Sequence, residues 1–315
     1  MSSADQRAAR RRRERERRRA LRRSVTAAFI VGASGIVALA IVFSSGDDSR
    51  QPPAAAAGPT GPPRGGPARA LRARPIDARA TRLLDRRIGT LPAPLEDAGA
   101  AAIGSSIVLA GGLTAQDTST LNVIGLHGGS AHSEGSLPAA QHDAAAATLA
   151  GAVYVFGGGD GTRQLDHILR IDRHTGRAAA VGRLPAASSD SSAATIGATA
   201  YVVGGYTGTH WLNTIVAVRP DGGSRVVAHL PVGLRYAAVA AAGTSLVVAG
   251  GSLPDGSASR AVYRFDTGRR LVTRLASLPA ATTHAAAASL GGRVFIIGGR
   301  GAGLGSVSSA ILAVD

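Results

Sequence analysis

The sequence predicts an all-β fold, a five-bladed β-propeller, and three observations predict it. A Gly-Gly doublet recurs at Gly111-Gly112, Gly157-Gly158, Gly204-Gly205, Gly250-Gly251 and Gly298-Gly299, in steps of 46, 47, 46 and 48 residues. A second marker keeps the same register, at Leu91-Pro92, Leu137-Pro138, Leu184-Pro185, Leu230-Pro231 and Leu278-Pro279. Each doublet closes a short apolar run: IVLAGG, VYVFGG, AYVVGG, LVVAGG and VFIIGG. Such β-branched and aromatic runs of strand length, bounded by glycine, read as strands. A period in this range means one supersecondary unit repeated along the chain.

The first strand of each unit is a run of small residues: DAGAAAIG, HDAAAATLA, SSAATIGA, YAAVAAAG and HAAAASLG. Alanine favours helix. Here each run is short, bounded by glycine or polar residues and tied to the repeat, and small side chains suit the strand nearest a crowded axis. The doublet run is the second strand. LNVIGL, HILRID, TIVAVR, AVYRFD and AILAVD alternate as third strands. Polar turns follow at Asp172–Gly176, Pro220–Gly223 and Asp266–Gly268, of the kind that joins hairpin strands. A fourth strand runs into Leu-Pro, as in VVAHLP and LVTRLASLP. Four short strands in meander order, repeated about an axis, make a propeller blade. The fifth unit stops at Ala313-Val314-Asp315, after its third strand. The stray segment Arg87-Ile88-Gly89-Thr90-Leu91-Pro92 is expected to supply the missing strand by pairing with 309–315, which removes two exposed edges.

These units resemble the kelch-repeat family. The matching residues are the doublets, the aromatic in the preceding strand (Tyr154, Tyr201, Phe295), and the turn Asp172–Gly176. The resemblance covers about 91–315 and implies a kelch-like propeller. The family's usual fourth-strand Trp is replaced by Ala178, Val226 and Val272.

The N-terminal third is different. Residues 1–23 hold eleven arginines against Asp5, Glu14 and Glu16, so most of the net charge of +15 lies ahead of the repeats. No aromatic residues interleave to stack on bases, so no nucleic-acid partner is expected. Val25–Phe43 is an uncharged stretch, VTAAFIVGASGIVALAIVF. As a helix it would span roughly 28 Å, about the bilayer's hydrocarbon thickness. The arginine excess before it places the N-terminus in the cytoplasm. The segments expected are therefore an Arg-rich cytoplasmic piece (1–23), a transmembrane signal anchor (24–45), a Pro/Ala/Gly-rich disordered linker (46–80) and an extracytoplasmic propeller (81–315). Cleavage at Ala38-Leu39-Ala40 is the competing reading.

The chain has no cysteine, which excludes disulfides, thiolate nucleophiles and Cys-ligated zinc. There is no lysine, hence no phosphate-binding P-loop, and the eight histidines show no metal-ligand spacing. No catalytic residue, cofactor or metal is expected. In a meander, the loops joining strands two and three and those joining blades emerge on one face. That face is expected to carry His142, Arg163, Tyr206, His210, the single Trp211, Arg235, Tyr236, His284 and Arg300. Within the inter-blade set, Glu96, His142, Ser189, Arg235 and His284 follow their leucines by five or six residues. Exposed aromatics beside arginine suit capture of a glycan or peptide. The expected function is non-catalytic binding of a cell-envelope glycan, peptide or protein. The alternatives are a mutarotase-like carbohydrate enzyme and a structural envelope module. Copper radical oxidase chemistry needs a cysteine cross-linked to tyrosine, and this chain lacks the cysteine.

Overall fold

The computed structural model describes residues 89–303 and 305–314. They form five antiparallel sheets. The first blade holds β1 (Gly99–Ile103), β2 (Ser106–Ala110), β3 (Thr120–His127) and β4 (Ser130–Gln141). The second holds β5 (Ala145–Leu149), β6 (Ala152–Phe156), β7 (His167–Ile171) and β8 (Ala178–Arg183). The third holds β9 (Ser192–Ile196), β10 (Thr199–Val203), β11 (Thr214–Val218) and β12 (Ser224–His229). The fourth holds β13 (Ala238–Ala242), β14 (Ser245–Ala249), β15 (Ala261–Asp266) and β16 (Leu271–Ser277). The fifth holds β17 (Ala286–Leu290), β18 (Arg293–Ile297) and β19 (Ile311–Val314). Strand order within each sheet is sequential, the meander that the repeats predict.

The alanine runs are the innermost strands. Each of β1, β5, β9 and β13 packs against the next blade's first strand around the axis. Their small side chains, with Ser192, Thr195 and Ser289, line a central channel of about 290 Å3. Tertiary context thus overrides the helix propensity of alanine. The second strands are apolar on both faces because both faces are buried. In β6, Ala152, Tyr154 and Phe156 pack with Ala200, Val202 and Val216 of the third blade. Val153 and Val155 point the other way, with Val108 and Val123 of the first. The core is therefore a set of inter-blade layers, each built by period-two alternation. In each four-stranded blade the pairing of third and fourth strands shifts register, and such bulges sharpen the twist a blade needs.

The doublets stitch blade to blade. Both glycines have positive φ, for example 65° at Gly204 and 113° at Gly205, where a side chain is strained. Gly204 N–H donates to Thr214 O (3.0 Å) in its own blade, and Gly205 N–H to Leu234 O (2.8 Å) in the connection to the next. A side chain on Gly204 would run into that same Leu234 carbonyl. The doublets are structural and offer no ligand cradle.

The strand expected at 87–92 falls partly outside the described residues. Gly89–Pro92 form no strand, and the fifth blade has three strands among the described residues. Gly89 nevertheless sits against Gly129 in the β3–β4 turn, as Gly135 sits against Gly176 and Gly182 against Gly222. Each of those glycines lies two residues before a Leu-Pro leucine, and Gly135 and Gly182 are on the outer strand of the preceding blade. In β8 the paired residues lie mostly before the glycine. The corresponding residues here, 85–88, precede the described chain. The anchor expected at 24–45 and the linker at 46–80 also lie outside it. Among the described residues, no helix is long and apolar enough to cross a membrane.

Candidate functional site

Six residues after each Leu-Pro leucine the backbone turns left-handed. The residues are Asp97 (φ 53°), Asp143 (54°), Asp190 (61°), Tyr236 (51°) and His284 (57°). Asp and His tolerate this region better than most residues, whereas a bulky Tyr there is an outlier. The five are joined around the axis by main-chain bonds. Asp143 N–H donates to Asp97 O (2.9 Å), Asp190 N–H to Asp143 O (2.9 Å), Tyr236 N–H to Asp190 O (2.9 Å) and His284 N–H to Tyr236 O (3.1 Å). The result is a ring with one residue from each blade. It lines a solvent-open cavity of about 60 Å3 together with Ser191 and Ser192. Ser192 and Ala285 border both this cavity and the alanine channel.

The residues one place earlier make a second tier. Glu96, His142, Ser189, Arg235 and Thr283 bridge to Leu113, Gly159, Tyr206, Ser252 and Arg300 of the strand two-to-three loops. This brings the two loop sets together on one face, as expected. It also corrects one register: Thr283, not His284, is the equivalent of Arg235. His284 belongs to the inner ring because its segment follows Leu278 by six residues rather than five.

The ring has an acidic arc and an aromatic arc. In the acidic arc, Asp190 has a side chain only 1% exposed, and its Oδ2 lies 2.6 Å from Arg235 Nη2. The Asp190 carboxyl also neighbours the Asp143 carboxyl and the Tyr236 hydroxyl. Burial, then the charges of Asp190 and Asp97, push the Asp143 carboxyl well above the usual carboxylate range. Burial, then Asp143 and Asp190, likewise push the Tyr236 hydroxyl well up. His142 sits 3.7 Å from Asp143. Its pKa is lowered by burial, partly offset by Asp190 and Asp160, and its Nδ1 is 2.8 Å from Ser119 Oγ. In the aromatic arc, Tyr236 and His284 stack at 3.8 Å, and Arg300 Nη2 lies 3.3 Å from His284 Nε2.

Arg235 couples the ring to the loops. Its guanidinium stands 4.2 Å from the centre of the Tyr206 ring, 5.2 Å from Tyr236 and 5.4 Å from Trp211. Tyr206 and Trp211 meet edge to face at 4.8 Å. Of the nine residues expected on this face, Tyr236 and His284 line the cavity. Arg235, His142 and Arg300 contact its wall, and Tyr206 and Trp211 back Arg235. Arg163 and His210 are not brought in. Arg163 is 78% exposed and pairs with its loop neighbour Asp160, and the exposed His210 turns to Thr209 (2.8 Å). Asp97, Asp143, Asp190 and Ser191 were missed by sequence reasoning. The signal was present, since the three aspartates keep the six-residue offset from leucine. Ser191 Oγ and Arg235 Nε are buried polar atoms with no hydrogen-bond partner, which is costly unless something fills the site. Among the described residues, no His, Cys, Asp and Glu group has the arrangement to hold a metal ion.

The chain matches no protein-family model and no curated protein. Among solved structures it is similar to one titled "Structure of YjhT", with a TM-score of 0.62. The two are 14% identical over 70% of this chain and 84% of that chain. Likeness at this identity bears on the fold alone. Fold and comparison together identify the chain as an all-β, five-bladed propeller whose five ring residues meet at the axis.

Proposed function

We propose that the protein is a kelch-type binding propeller, held at the cytoplasmic membrane through residues 25–43, that captures an envelope saccharide at the mouth of its axis. The observation that carries this is the inner ring. One position per blade shares a left-handed backbone and a place on the cavity wall, yet holds Asp, Asp, Asp, Tyr and His. Strained residues gathered at one opening point to a functional site. The acidic arc accepts hydrogen bonds from sugar hydroxyls, and Ser191 Oγ adds an unpaired buried group. The Tyr236–His284 stack offers a flat face for the C–H side of a sugar ring.

Trp211 is the only tryptophan and lies beside Arg235, so its fluorescence reports the site. Titration of the full chain with oligosaccharides from a glycan array should give a saturable change that Arg235→Ala and Asp190→Asn abolish. A response that survives both substitutions places the ligand elsewhere.

One observation favours a carbohydrate-active reading. The Asp143 and Asp190 carboxyls face one cavity, and burial and the charges of Asp190 and Asp97 raise the Asp143 carboxyl, a pair that can divide the roles of acid and base. Opening and closing a sugar hemiacetal needs both. Anomer exchange of a bound reducing sugar, followed by NMR without added metal, decides between binding and turnover.

A further inference from the structure

The two faces of the propeller carry opposite chemistry. The strand three-to-four turns lie on the face away from the ring. They present Arg173, Arg177, Arg219, Arg225, Arg269 and Arg270, all exposed. The turns' own carboxylates cap the turns, and Asp221 Oδ2 also lies 3.4 Å from Arg219 Nη2. Asp172 Oδ1 accepts from the backbone N–H groups of His174 (3.0 Å) and Thr175 (2.9 Å). Asp221 Oδ1 accepts from Gly223 N–H (2.9 Å), and Asp266 Oδ1 from Arg269 N–H (2.9 Å). Six cations against three turn-capping anions leave this strip net positive. The opposite face carries Asp97, Asp143 and Asp190.

Between the third and fourth blades the basic face opens into a cleft of about 380 Å3. Arg219, Arg225 and Arg270 line it, along with the hydroxyl-bearing Thr199, Ser224 and Thr267, and no carboxylate does. Tyr201 and Phe265, packed edge to face at 5.8 Å, also line it. Guanidinium groups and hydroxyls around one opening suit phosphate oxygens.

The chain reaches the propeller on this same face. Gly89 lies against Gly129 of the β3–β4 turn, and every strand three-to-four turn of a meander emerges on one side. The residues ahead of Gly89 include the uncharged run 25–43. The 45 residues between Phe43 and Gly89 would, as a flexible chain, reach roughly 35–40 Å.

We propose that this basic face docks on an anionic lipid surface, with headgroup phosphates seated at Arg219, Arg225 and Arg270, so that the ring points away from the membrane. The proposal rests on the membrane reading of residues 25–43 for its partner, but not on the saccharide reading of the ring. Arginine clusters next to a membrane are drawn to anionic headgroups, and the attraction decays within a Debye length.

The test is hydrogen exchange on the full chain in phosphatidylcholine vesicles with and without phosphatidylglycerol. Turns 172–177, 219–225 and 266–271 should exchange about tenfold more slowly over the anionic vesicles. The strand two-to-three loops should be unchanged. High salt should remove the difference, and so should the triple variant Arg219→Gln, Arg225→Gln, Arg270→Gln, whose unchanged melting temperature would show that it folds. Equal exchange over both vesicles, or protection of the loop face instead, overturns the proposal. So does protection reproduced over neutral vesicles by inorganic phosphate at matched ionic strength, which would assign the cleft to a soluble anion. Alkaline extraction separates the two ideas. A chain that washes off refutes the anchor, whereas one that stays with its turns unprotected refutes the docking face.

Discussion

Two sets of positions in this propeller share a left-handed backbone and keep the same step through the chain, yet they behave differently. At the end of each second strand the residues are always Gly-Gly, whereas at the mouth of the axis they are Asp97, Asp143, Asp190, Tyr236 and His284. Behind Gly157, Gly204 and Gly250 the carbonyl of the next connection occupies the space a side chain would need. Packing therefore dictates glycine there. At the mouth no carbonyl fills the place of the side chain in this way; the five residues line a cavity, and Asp190 is buried against Arg235. What stands there is set by what it touches. The difference separates a framework that holds the blades from a ring that supplies chemistry, and it can be broken from either side.

The largest effect is expected from the framework's end. Deleting 82–92 removes Gly89 from its seat against Gly129 and the residues expected to pair with β19. The melting temperature should fall by roughly 15 °C, since strand pairing and edge protection are lost together. An unchanged melt would mean that the fifth blade stands on three strands. Next comes Gly204→Ala. It forces a side chain into positive φ and against the Leu234 carbonyl, at a cost of about 3 kcal/mol. That should lower the melting temperature by roughly 6–12 °C. A melt within a degree or two of wild type would show that the doublets are not required by packing. Arg235→Ala crosses the boundary between the two regions. It leaves Asp190 buried without its cation, a loss of about 3 kcal/mol or less if the carboxyl takes up a proton. It should also abolish the Trp211 fluorescence response, whereas Gly204→Ala should leave that response intact in whatever fraction folds.

The framework was legible in the sequence because packing repeats itself. Gly-Gly and Leu-Pro recur in one register, and the runs before the doublets are apolar on both faces because neighbouring blades bury both. The ring was legible only in part. Arg235, Tyr236 and His284 stood out by residue type. Asp97, Asp143 and Asp190 did not, because each borders an alanine run and reads as an ordinary turn residue. Their common backbone is also hidden when Tyr and His occupy the same place in the other two blades. Residues 46 to 48 apart become neighbours only when the blades close around the axis. Arg163 and His210 show the reverse error. They have suitable chemistry, but Arg163 pairs with its loop neighbour Asp160 and His210 turns to Thr209, so neither joins the cavity wall.

The smallest effect is expected to have the opposite sign. Asp143 faces Asp97, Asp190, His142, Arg235 and Tyr236, and its carboxyl is held well above the usual range first by burial and then by the two aspartates. A carboxyl whose folded-state pKa is raised contributes its stability below the unfolded value of 3.8 and loses it as pH rises through the folded value. At neutral pH it therefore opposes folding. Asp143→Asn keeps the shape and cannot ionise, so it should stabilise the protein by about 1 kcal/mol, or roughly 2–4 °C. The gain should shrink as pH falls and vanish near the ordinary carboxylate range. Melting curves of both proteins across pH check this directly. Because the same substitution removes a proton that the cavity can release or accept, saccharide binding should weaken while stability rises. That pairing belongs to a ring position and not to the framework. If Asp143→Asn instead lowers the neutral-pH melt, Asp143 is holding the blades together, and the boundary between the two regions has been drawn in the wrong place.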